Sequence, residues 1–401
     1  MTRWTIPAIT AVALGAATSA ANVRIDRPRS IQVTAVRIPT GGLQPEVVQD
    51  DRAVLHMLYF AGEPAGGNLY YIRSTDFGAT FSKPVRVNTQ AGSAIATGTI
   101  RGGQLAIGRS NRVYVAWNGS NMAIPKGPAH PAPGRPTAAM LYSRSNETGT
   151  AFEPQRNLMQ RSYGLDGGGS IASDRSGNVY VAWHASPLVG AEQGEAARRP
   201  WVAISNDDGR TFAAEEPAWA RETGACGCCG LRLFVAPASE LYLLYRSATD
   251  LVHRDIYLLS STDHGRTFRG SRVHEWNLEA CPMTSASFAT VGSRVVAAWE
   301  TAGQVFLGAV DPDAPAVPTA VPAPSSSGMR KHPRLVANPR DADVLLVWAE
   351  GTAWARGGSV RWQAFDRDLR PTGRSGEFAG LPAWSFATGA WRQDGGFIVF
   401  Y

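Results

Sequence analysis

The stretch that decides the fold is residues 205–212, which read SNDDGRTF. The same Ser-x-Asp-x-Gly-x-Thr-Phe pattern occurs at 74–81 (STDFGATF) and at 261–268 (STDHGRTF), and a degenerate copy occurs at 145–152 (SNETGTAF). Each copy follows a short run of β-forming residues. The Asp side chain is suited to accept hydrogen bonds from backbone N–H groups of the turn, and the Gly permits a positive φ. The sequence therefore predicts a β-hairpin that repeats within one fold.

A second repeat is a short apolar strand that ends in an aromatic side chain. Its seven copies follow one another at intervals of roughly 50 to 65 residues, a spacing typical of propeller blades. They lie at residues 55–59, 113–117, 179–183, 241–245, 295–299, 344–348 and 397–400. The last copy has no sequence after it to complete a blade. We therefore expect residues 30–36 to pair with this C-terminal hairpin and close the ring.

The Asp-containing pattern resembles the Asp-box, or BNR, repeat of the sialidase superfamily, and the likeness extends over almost the whole chain. The resemblance implies an all-β fold, a β-propeller of four-stranded blades, in which Asp76, Asp207 and Asp263 have a structural role. Seven copies of the second repeat favour seven blades. Six blades are the alternative, because the resemblance to the sialidases implies a six-bladed propeller.

The composition agrees with this fold class and excludes others. Hydrophobic residues make up 44% of the 401 residues and charged residues only 18%, with 42 Gly and 26 Pro, which suits short strands and turns and argues against a helical bundle or a disordered chain. The net charge of +6 is spread thinly without a Lys/Arg run. Nucleic acid is therefore not an expected partner.

The N-terminus is predicted to be an export signal. Arg3 supplies a positive charge, residues 6–17 are mostly apolar, and small residues at 18–21 suit cleavage. We therefore expect a signal peptide at 1–21, with an uncleaved anchor as the alternative, and a single propeller domain at 22–401. The mature protein would be periplasmic or secreted, without a membrane span.

Residues far apart in sequence are predicted to meet where the innermost strand of each blade begins. This entry lies on the face opposite the Asp boxes, called the upper face below. Counting back sixteen residues from each strand-two aromatic gives one entry per blade, namely Leu43, Arg101, Gly167, Cys229, Met283, His332 and Trp384. A ring of mixed polar groups is typical of a binding site. The predicted ligand-binding residues are Arg101, His184, His253, Glu300, His332 and Trp384.

The four cysteines are the sharpest signal for chemistry. Cys226, Cys228 and Cys229 open blade four, and Cys281 opens blade five close to Met283, so we expect all four cysteines to cluster. In an exported chain they would form two disulfides that staple the ring. The alternatives are redox-active thiols or a metal site for copper or zinc, to which Met283 and a histidine would contribute.

The resemblance to sialidases also implies catalytic candidates. Arg37 lies in Val-Arg-Ile-Pro, which resembles the Arg-Ile-Pro motif that supplies one arginine of the sialidase carboxylate-binding triad. Arg246 is a candidate for a second arginine, Arg101 or Arg334 for a third, and Asp166 for the acid. The loop that holds the acid/base aspartate in the family contains Glu63 instead. The nucleophilic tyrosine is not assigned, and Tyr163 and Tyr245 are candidates by residue type only.

The chain further resembles a group of exported sialidase-like bacterial proteins that carry the same cysteine cluster, followed by Tyr245-Arg246 and by residues 253–256 (HRDI). That likeness implies no particular activity. Three functions are consistent with the sequence: a propeller that binds a metal, a small molecule or a glycan near the cysteines, an exo-acting sialidase-type hydrolase of acidic sugars, or a structural propeller that binds proteins. The sequence identifies no protein partner.

Overall fold

The computed structural model describes Met1, Thr2, Trp4 and residues 31–135, 137–189, 194–311, 313–325 and 328–401. The predicted signal peptide at 1–21 falls almost entirely outside the described residues. Residues 31–401 form one compact unit. The described strands of this unit are arranged in seven sheets, so the all-β, seven-bladed prediction is confirmed and the six-bladed alternative is wrong. No described helix has the length and apolarity that a bilayer crossing requires.

Blades one to three each contain four strands that follow the chain from the inside outwards. Blade one consists of β2 (Leu43–Gln49), β3 (Leu55–Ala61), β4 (Asn68–Ser74) and β5 (Val85–Arg86). Blade two consists of β6 (Gln104–Ile107), β7 (Val113–Asn118), β8 (Met140–Arg144) and β9 (Arg156–Asn157). Blade three consists of β10 (Ser162–Ser173), β11 (Val179–Pro187), β12 (Arg199–Ser205) and β13 (Glu216–Pro217).

Blades four to six repeat this order. Blade four consists of β14 (Arg232–Val235), β15 (Leu241–Arg246), β16 (Ile256–Ser261) and β17 (Arg269–His274). Blade five consists of β18 (Ser287–Val291), β19 (Arg294–Thr301), β20 (Gln304–Ala309) and β21 (Val321–Pro322). Blade six consists of β22 (Arg330–Ala337), β23 (Val344–Glu350), β24 (Gly358–Phe365) and β25 (Pro371–Leu381). Three short 3₁₀ turns lie at Pro39–Gly41, Arg109–Asn111 and Glu195–Ala197.

Blade seven closes the ring as predicted, by pairing the two ends of the chain. It contains β26 (Thr388–Trp391), β27 (Phe397–Phe400) and β1 (Val33–Val36), with β1 parallel to β27. Blades one to six contain four strands each, and three described strands make up the sheet of blade seven. Only two of them come from the C-terminal hairpin, and after β1 the chain turns directly into blade one.

The core lies between neighbouring blades rather than at the centre of one domain. The second strand of each blade is buried on both faces, and the strand-two aromatics Trp117, Trp183 and Trp299 are at most 1% exposed. Side chains alternate along a strand, so successive residues pack against opposite neighbouring blades. Each blade therefore depends on the one before it and the one after it.

The Asp boxes fix the hairpins of the lower face. Asp76 Oδ1 accepts hydrogen bonds from the Ser74 hydroxyl at 2.7 Å and the Thr80 backbone N–H at 2.9 Å, and its Oδ2 accepts one from the Thr80 hydroxyl at 2.6 Å. Asp207 and Asp263 make the same three contacts in blades three and four. The carboxylates therefore stabilise the turns from within, as predicted.

Candidate functional site

On the upper face, the backbone adopts a left-handed conformation at the residue where the innermost strand of several blades begins. Gly167, Met283, His332 and Trp384 have φ values of 71°, 52°, 54° and 56°. These are four of the seven entry positions obtained by counting along the sequence. Left-handed backbone is unfavourable for residues with a Cβ and is concentrated at functional sites. In three blades the chain therefore holds a large side chain at the entry despite this cost.

Three cysteine sulfurs meet in the loop that leads into blade four. Cys226 Sγ lies 3.3 Å from Cys228 Sγ and 3.3 Å from Cys229 Sγ, and all three sulfurs lie within 4.8 Å of one another. Cys226 and Cys229 are buried and Cys228 is partly exposed. The loop is anchored because the Cys226 N–H donates to the Arg246 carbonyl at 3.0 Å. Thiolates on one tetrahedral zinc ion are about 3.8 Å apart, given Zn–S bonds of about 2.3 Å, so the triad is close to a ligand geometry.

Cys281 does not belong to this group, so the expectation that all four cysteines cluster is wrong. Its side chain is exposed. All four cysteine thiols are free. The chain adopts its left-handed turn at Met283, two residues later, and only the residues after Cys281 reach the cluster. The predicted staple of two disulfides is therefore not formed.

The three thiols of the triad differ in acidity, and Cys229 is the one whose pKa is lowered. Burial raises the pKa of Cys229, but hydrogen bonds from Cys226 and Cys228 outweigh it and hold that pKa well below its usual value. The Arg246 charge and the Thr284 backbone N–H act in the same direction. The pKa values of Cys226 and Cys228 are raised, since each shares its proton with a neighbouring sulfur. The favoured state is a Cys229 thiolate with two thiols donating to sulfur.

Arg246 and Glu300 form a buried pair behind the triad. The Arg246 guanidinium lies 3.2 Å from a Glu300 carboxylate oxygen, donates to the Arg254 carbonyl at 2.6 Å, and sits 5.0 Å above the Trp276 ring. Both charged side chains are almost fully buried. Arg246 is thus held by protein groups on several sides, which suits an electrostatic role toward Cys229 better than direct binding of a substrate carboxylate.

Ion pairs surround the cysteine loop on its outer side. They run as one chain: Arg101 to Asp166 at 2.5 Å, Arg198 to Asp166 at 3.3 Å, Arg198 to Glu195 at 3.6 Å and Arg254 to Glu195 at 2.7 Å. Glu195 also accepts a hydrogen bond from the Gly227 N–H at 2.8 Å, inside the cysteine loop. Three arginines face two carboxylates, so the surroundings favour thiolates. Asp166, the predicted acid, is held by two of these arginines.

Two buried imidazoles flank the triad. Neither ring nitrogen of His184 has a hydrogen-bond partner, and His332 Nδ1 is 3.3 Å from the Ser285 hydroxyl. Burial lowers the pKa of His184 to about 4 and that of His332 to about 3. Both rings are therefore neutral near pH 7. His253, also predicted to bind ligand, bonds instead to Asn277 Oδ1 at 2.7 Å on a loop.

A small pocket of about 10 Å³ lies on the upper face at the entries of blades five, six and seven. Its lining includes Met283, Lys331, His332, Trp354 and Trp384, and the buried Nε1 of Trp384 has no partner. The pocket thus combines two aromatic rings, a cation, a thioether and an imidazole. Met283, His332 and Trp384, all predicted from the entry count, are brought together here.

The sialidase-type arginine pair is not assembled. Arg37 donates to the carbonyls of Gly380 at 2.5 Å and Ala379 at 3.1 Å, and stacks 4.2 Å above the Tyr401 ring. It therefore binds the outer strand of blade six, whereas Arg246 is buried behind the cysteines. The motif is present, but β1 is the third strand of blade seven, and this position directs Arg37 to the backbone of its neighbour.

The other residues considered for a sialidase site are also engaged in packing. Arg334 is buried and paired with Glu46, and burial lowers its pKa to about 10. Tyr245 is buried with its hydroxyl 2.7 Å from the Thr223 hydroxyl, and Tyr163 is buried against His130. None of these three side chains makes a polar contact with Asp166 among the described residues, whereas Arg101, the alternative candidate for the third arginine, does so at 2.5 Å.

Sequence reasoning missed several residues of the site. Glu195 and Arg198 lie in and beside a 3₁₀ turn within an insertion that belongs to no repeat, so no spacing pointed to them. Arg254 lies in the HRDI stretch that the sequence comparison singled out without giving it a role. Thr284 was not considered, although its backbone N–H lowers the pKa of Cys229.

Comparisons with known proteins support the fold. No protein-family model and no curated protein sequence matches the chain. A protein of unknown function from Dyadobacter fermentans DSM 18053 is 13% identical with a TM-score of 0.56, over 86% of this chain and 99% of that one. NanB bound to Optactamide is 10% identical with a TM-score of 0.51, over 85% of this chain and 68% of that one.

A third structure extends the comparison to a longer protein. The Trypanosoma rangeli sialidase in complex with the inhibitor DANA is 11% identical with a TM-score of 0.51, and the match covers 86% of this chain but 57% of the sialidase chain. At these identities the likeness concerns the fold alone. The chain has a sialidase-like β-propeller fold with a three-cysteine cluster on its upper face.

Proposed function

We propose that the upper face binds a soft metal ion, Cu(I) or Zn²⁺, through Cys226, Cys228 and Cys229. The observation that carries this proposal is the approach of the three sulfurs to within 4.8 Å of one another in a largely buried loop. Soft thiolate ligands favour these two ions among biological metals. We therefore regard the propeller as a metal-binding protein, with the seven blades as the scaffold that holds the ligands.

The surroundings of the triad support metal binding in a specific way. Cys229 is the favoured thiolate, and the thiols of Cys226 and Cys228 must each lose a proton when they bind metal. The arginines around the loop stabilise the resulting negative charge. The Glu195 contact to Gly227 and the backbone bond of Cys226 fix the loop before metal arrives, which reduces the entropy lost on binding.

Metal analysis with thiol counting tests the proposal. Protein purified without chelator and reloaded with Cu(I) or Zn²⁺ should hold one ion per chain. The variant C226S/C228S/C229S should lose at least about a hundredfold in affinity. The matched control C281S removes an exposed cysteine outside the triad and should bind like the wild type. A wild-type protein that binds neither ion would refute the proposal.

Export of the protein is a further part of this proposal. Its support is the sequence of residues 1–21, with one basic residue, an apolar run and small residues before the expected cleavage point. N-terminal sequencing of the protein from the periplasm or culture medium should give a start near Ala21 or Asn22. An intact N-terminus in the cytoplasmic fraction would contradict it.

A small molecule or glycan bound on the surface around this pocket is the second candidate function, since the pocket of about 10 Å³ is too small to enclose a sugar. Trp354 and Trp384 offer ring faces and Lys331 a positive charge, a combination suited to an acidic sugar. The Trypanosoma rangeli enzyme is a sialidase that binds DANA, but its likeness to this chain is one of fold. A calorimetric screen of acidic sugars with the wild type and W354A tests this candidate. Binding that survives W354A unchanged would place the ligand elsewhere.

A further inference from the structure

We propose that Cys226, Cys228 and Cys229 form a thiol relay, which a hydroperoxide oxidises to a Cys226–Cys229 disulfide that cannot hold the metal ion. Release of the metal by oxidation rests on the proposed function, because it assigns a regulation to the same site. The disulfide itself concerns the metal-free protein and needs only the arrangement of the three sulfurs.

Cys226 lies between the other two sulfurs of the triad. Its Sγ is 3.3 Å from Cys228 Sγ and 3.3 Å from Cys229 Sγ. A disulfide bond is about 2.05 Å long, so either pair has to close by only about 1.3 Å. Cys226 can therefore bond to one neighbour and pass the bond to the other without a large movement of the loop.

The backbone of the loop suits a disulfide between positions 226 and 229. The Cys229 N–H donates to the Cys226 carbonyl at 3.3 Å, which closes a four-residue turn. In such a turn the first and fourth Cα atoms lie within about 7 Å, and the Cα atoms of a disulfide are about 4.4 to 6.8 Å apart. The turn as it stands is therefore compatible with a Cys226–Cys229 bond.

Exposure distinguishes the sulfur that meets the oxidant from the pair that forms the final bond. Cys228 is partly exposed, whereas Cys226 and Cys229 are at most 1% exposed. Oxidation of cysteines follows their exposure, so a hydroperoxide in solution reaches Cys228 before the other two. Cys281 is also exposed, but it lies outside the group of three sulfurs.

An arginine packs directly onto the loop. A Cβ at Gly227, between Cys226 and Cys228, would overlap Arg198 Nη1, so the absence of a side chain there lets the guanidinium approach the backbone. Arg198 belongs to the chain of three arginines and two carboxylates around the loop, whose net charge is positive. A cation beside a cysteine stabilises the thiolate, which is the form that attacks a peroxide.

The first step reduces the hydroperoxide and oxidises Cys228. Protons shift along the two sulfur contacts, from Cys226 to Cys229 and from Cys228 to Cys226, which places the thiolate on Cys228. This thiolate attacks one oxygen, the O–O bond breaks, and Cys228 becomes a sulfenic acid. The released alkoxide takes a proton from solvent and leaves as an alcohol, or as water when the oxidant is hydrogen peroxide.

The next two steps move the oxidation inwards. The Cys226 sulfur bonds to Cys228 and displaces hydroxide, which leaves as water with the Cys226 proton. The Cys229 sulfur then bonds to Cys226 and breaks the bond to Cys228, and Cys228 takes up the Cys229 proton and is a thiol again. This exchange transfers no further electrons. The product is a buried Cys226–Cys229 disulfide beside a partly exposed Cys228 thiol.

The disulfide and a bound metal ion exclude each other. A soft metal ion binds deprotonated thiols, and the disulfide removes two of the three that the triad offers. A bound ion in turn occupies the Cys228 sulfur and keeps it from attacking the oxidant. Oxidation therefore releases the ion, and reduction of the disulfide by a dithiol restores the site.

Oxidation of the metal-free protein tests the relay. Reduced protein without metal is treated with one equivalent of hydrogen peroxide, alkylated, and examined by tandem mass spectrometry for the thiols that escaped alkylation. In the wild type, Cys226 and Cys229 should be bonded and Cys228 alkylated. C229S should stop at a Cys226–Cys228 bond, and C226S should accumulate a Cys228 sulfenic acid that dimedone traps. C228S should oxidise at least about fivefold more slowly, because its remaining triad sulfurs are buried.

The matched control is C281S, which removes an exposed cysteine and keeps the triad. Its triad should form the disulfide at the wild-type rate. A wild type without any bond inside the triad, or a C228S variant that forms the bond as fast as the wild type, would overturn the relay. Both results are obtained without metal and do not depend on the proposed function.

Zn²⁺ protection tests the exclusion. With Zn²⁺ bound, disulfide formation should slow at least about tenfold, and the oxidised protein should bind Zn²⁺ only after treatment with dithiothreitol. Zn²⁺ that stays bound after the disulfide has formed would overturn the exclusion. A reduced wild type that binds neither Zn²⁺ nor Cu(I) would instead refute the proposed function, and the metal-free oxidation would still decide the relay.

Discussion

The lower and upper faces of this propeller use the same seven blades in opposite ways. On the lower face, three blades repeat the same set of Asp-box hydrogen bonds. In each, the carboxylate accepts hydrogen bonds from a hydroxyl and a backbone N–H of its own turn. On the upper face the entry positions carry a different residue type in each of the seven blades, and both ring nitrogens of His184 and Nε1 of Trp384 lack hydrogen-bond partners. Repetition marks the face that stabilises the fold, and variety marks the face that carries chemistry.

Breaking the buried pair behind the cysteines should have the largest effect on stability. R246A leaves the Glu300 carboxylate buried without its cation, which costs about 3–5 kcal/mol of unfolding free energy. The control R392A removes an exposed partner of Asp394 and should cost at most about 1 kcal/mol. Urea unfolding monitored by tryptophan fluorescence measures both. Equal losses of unfolding free energy in R246A and R392A would mean that the buried pair contributes no more to stability than an exposed ion pair does.

Acidification should destabilise the upper face at a higher pH than it destabilises the Asp boxes of the lower face. The folded-state pKa values of His184 and His332, about 4 and about 3, lie below the ordinary value of 6.5, so the unfolded chain binds more protons and stability falls as the pH drops below 6.5. Thr80 and Ser74 hydrogen bonds lower the pKa of Asp76 to about 2 from 3.8, so the Asp boxes lose their contribution only below about pH 4.

The variant H184Q tests this separation. Its unfolding free energy should change less than that of the wild type as the pH falls from about 7 through about 4, and the two proteins should respond alike only below about pH 3. The measurement is a series of urea midpoints across pH. Parallel curves for both proteins over the whole range would show that His184 does not contribute to the acid sensitivity of the upper face.

Removing one Asp box should have the smallest effect of the three. D207A deletes hydrogen bonds within a single turn and should cost about 1–2 kcal/mol, comparable to loss of a helix cap. Metal affinity at the cysteine triad should be unchanged, because the box lies on the opposite face. Thermal unfolding and a Zn²⁺ titration of D207A check both statements. A drop in affinity without a drop in stability would contradict the division between the faces.

The sequence predicted what the repeat controls. Blade number, ring closure, the role of Asp207 and the entry positions of Met283, His332 and Trp384 all follow from constant spacing, since each blade repeats the same geometry. It failed where geometry depends on one particular contact. Cys281 was placed in the cluster by blade counting, but the chain turns inward only after it, at Met283.

Local motifs and insertions were the other source of error. Arg37 occupies a convincing motif, yet it lies at the end of a strand added to blade seven and binds the carbonyl of Gly380. Glu195 and Arg198 come from an insertion, where neither spacing nor alternation predicts a contact with the cysteine loop. Such long-range polar contacts depend on the packed structure as a whole and leave no periodic trace in the sequence.

The parallel pairing of β1 with β27 also determines when this protein becomes a ring. The Thr34 hydroxyl donates a hydrogen bond to the Phe397 carbonyl, 363 positions later in the chain. β1 can therefore pair with β27 only after almost all of the polypeptide has been synthesised. Contacts of such large sequence separation slow folding. Until then the apolar edges of blades one and seven are open, and the cysteine loop, midway along the chain, is complete before the ring that shelters it.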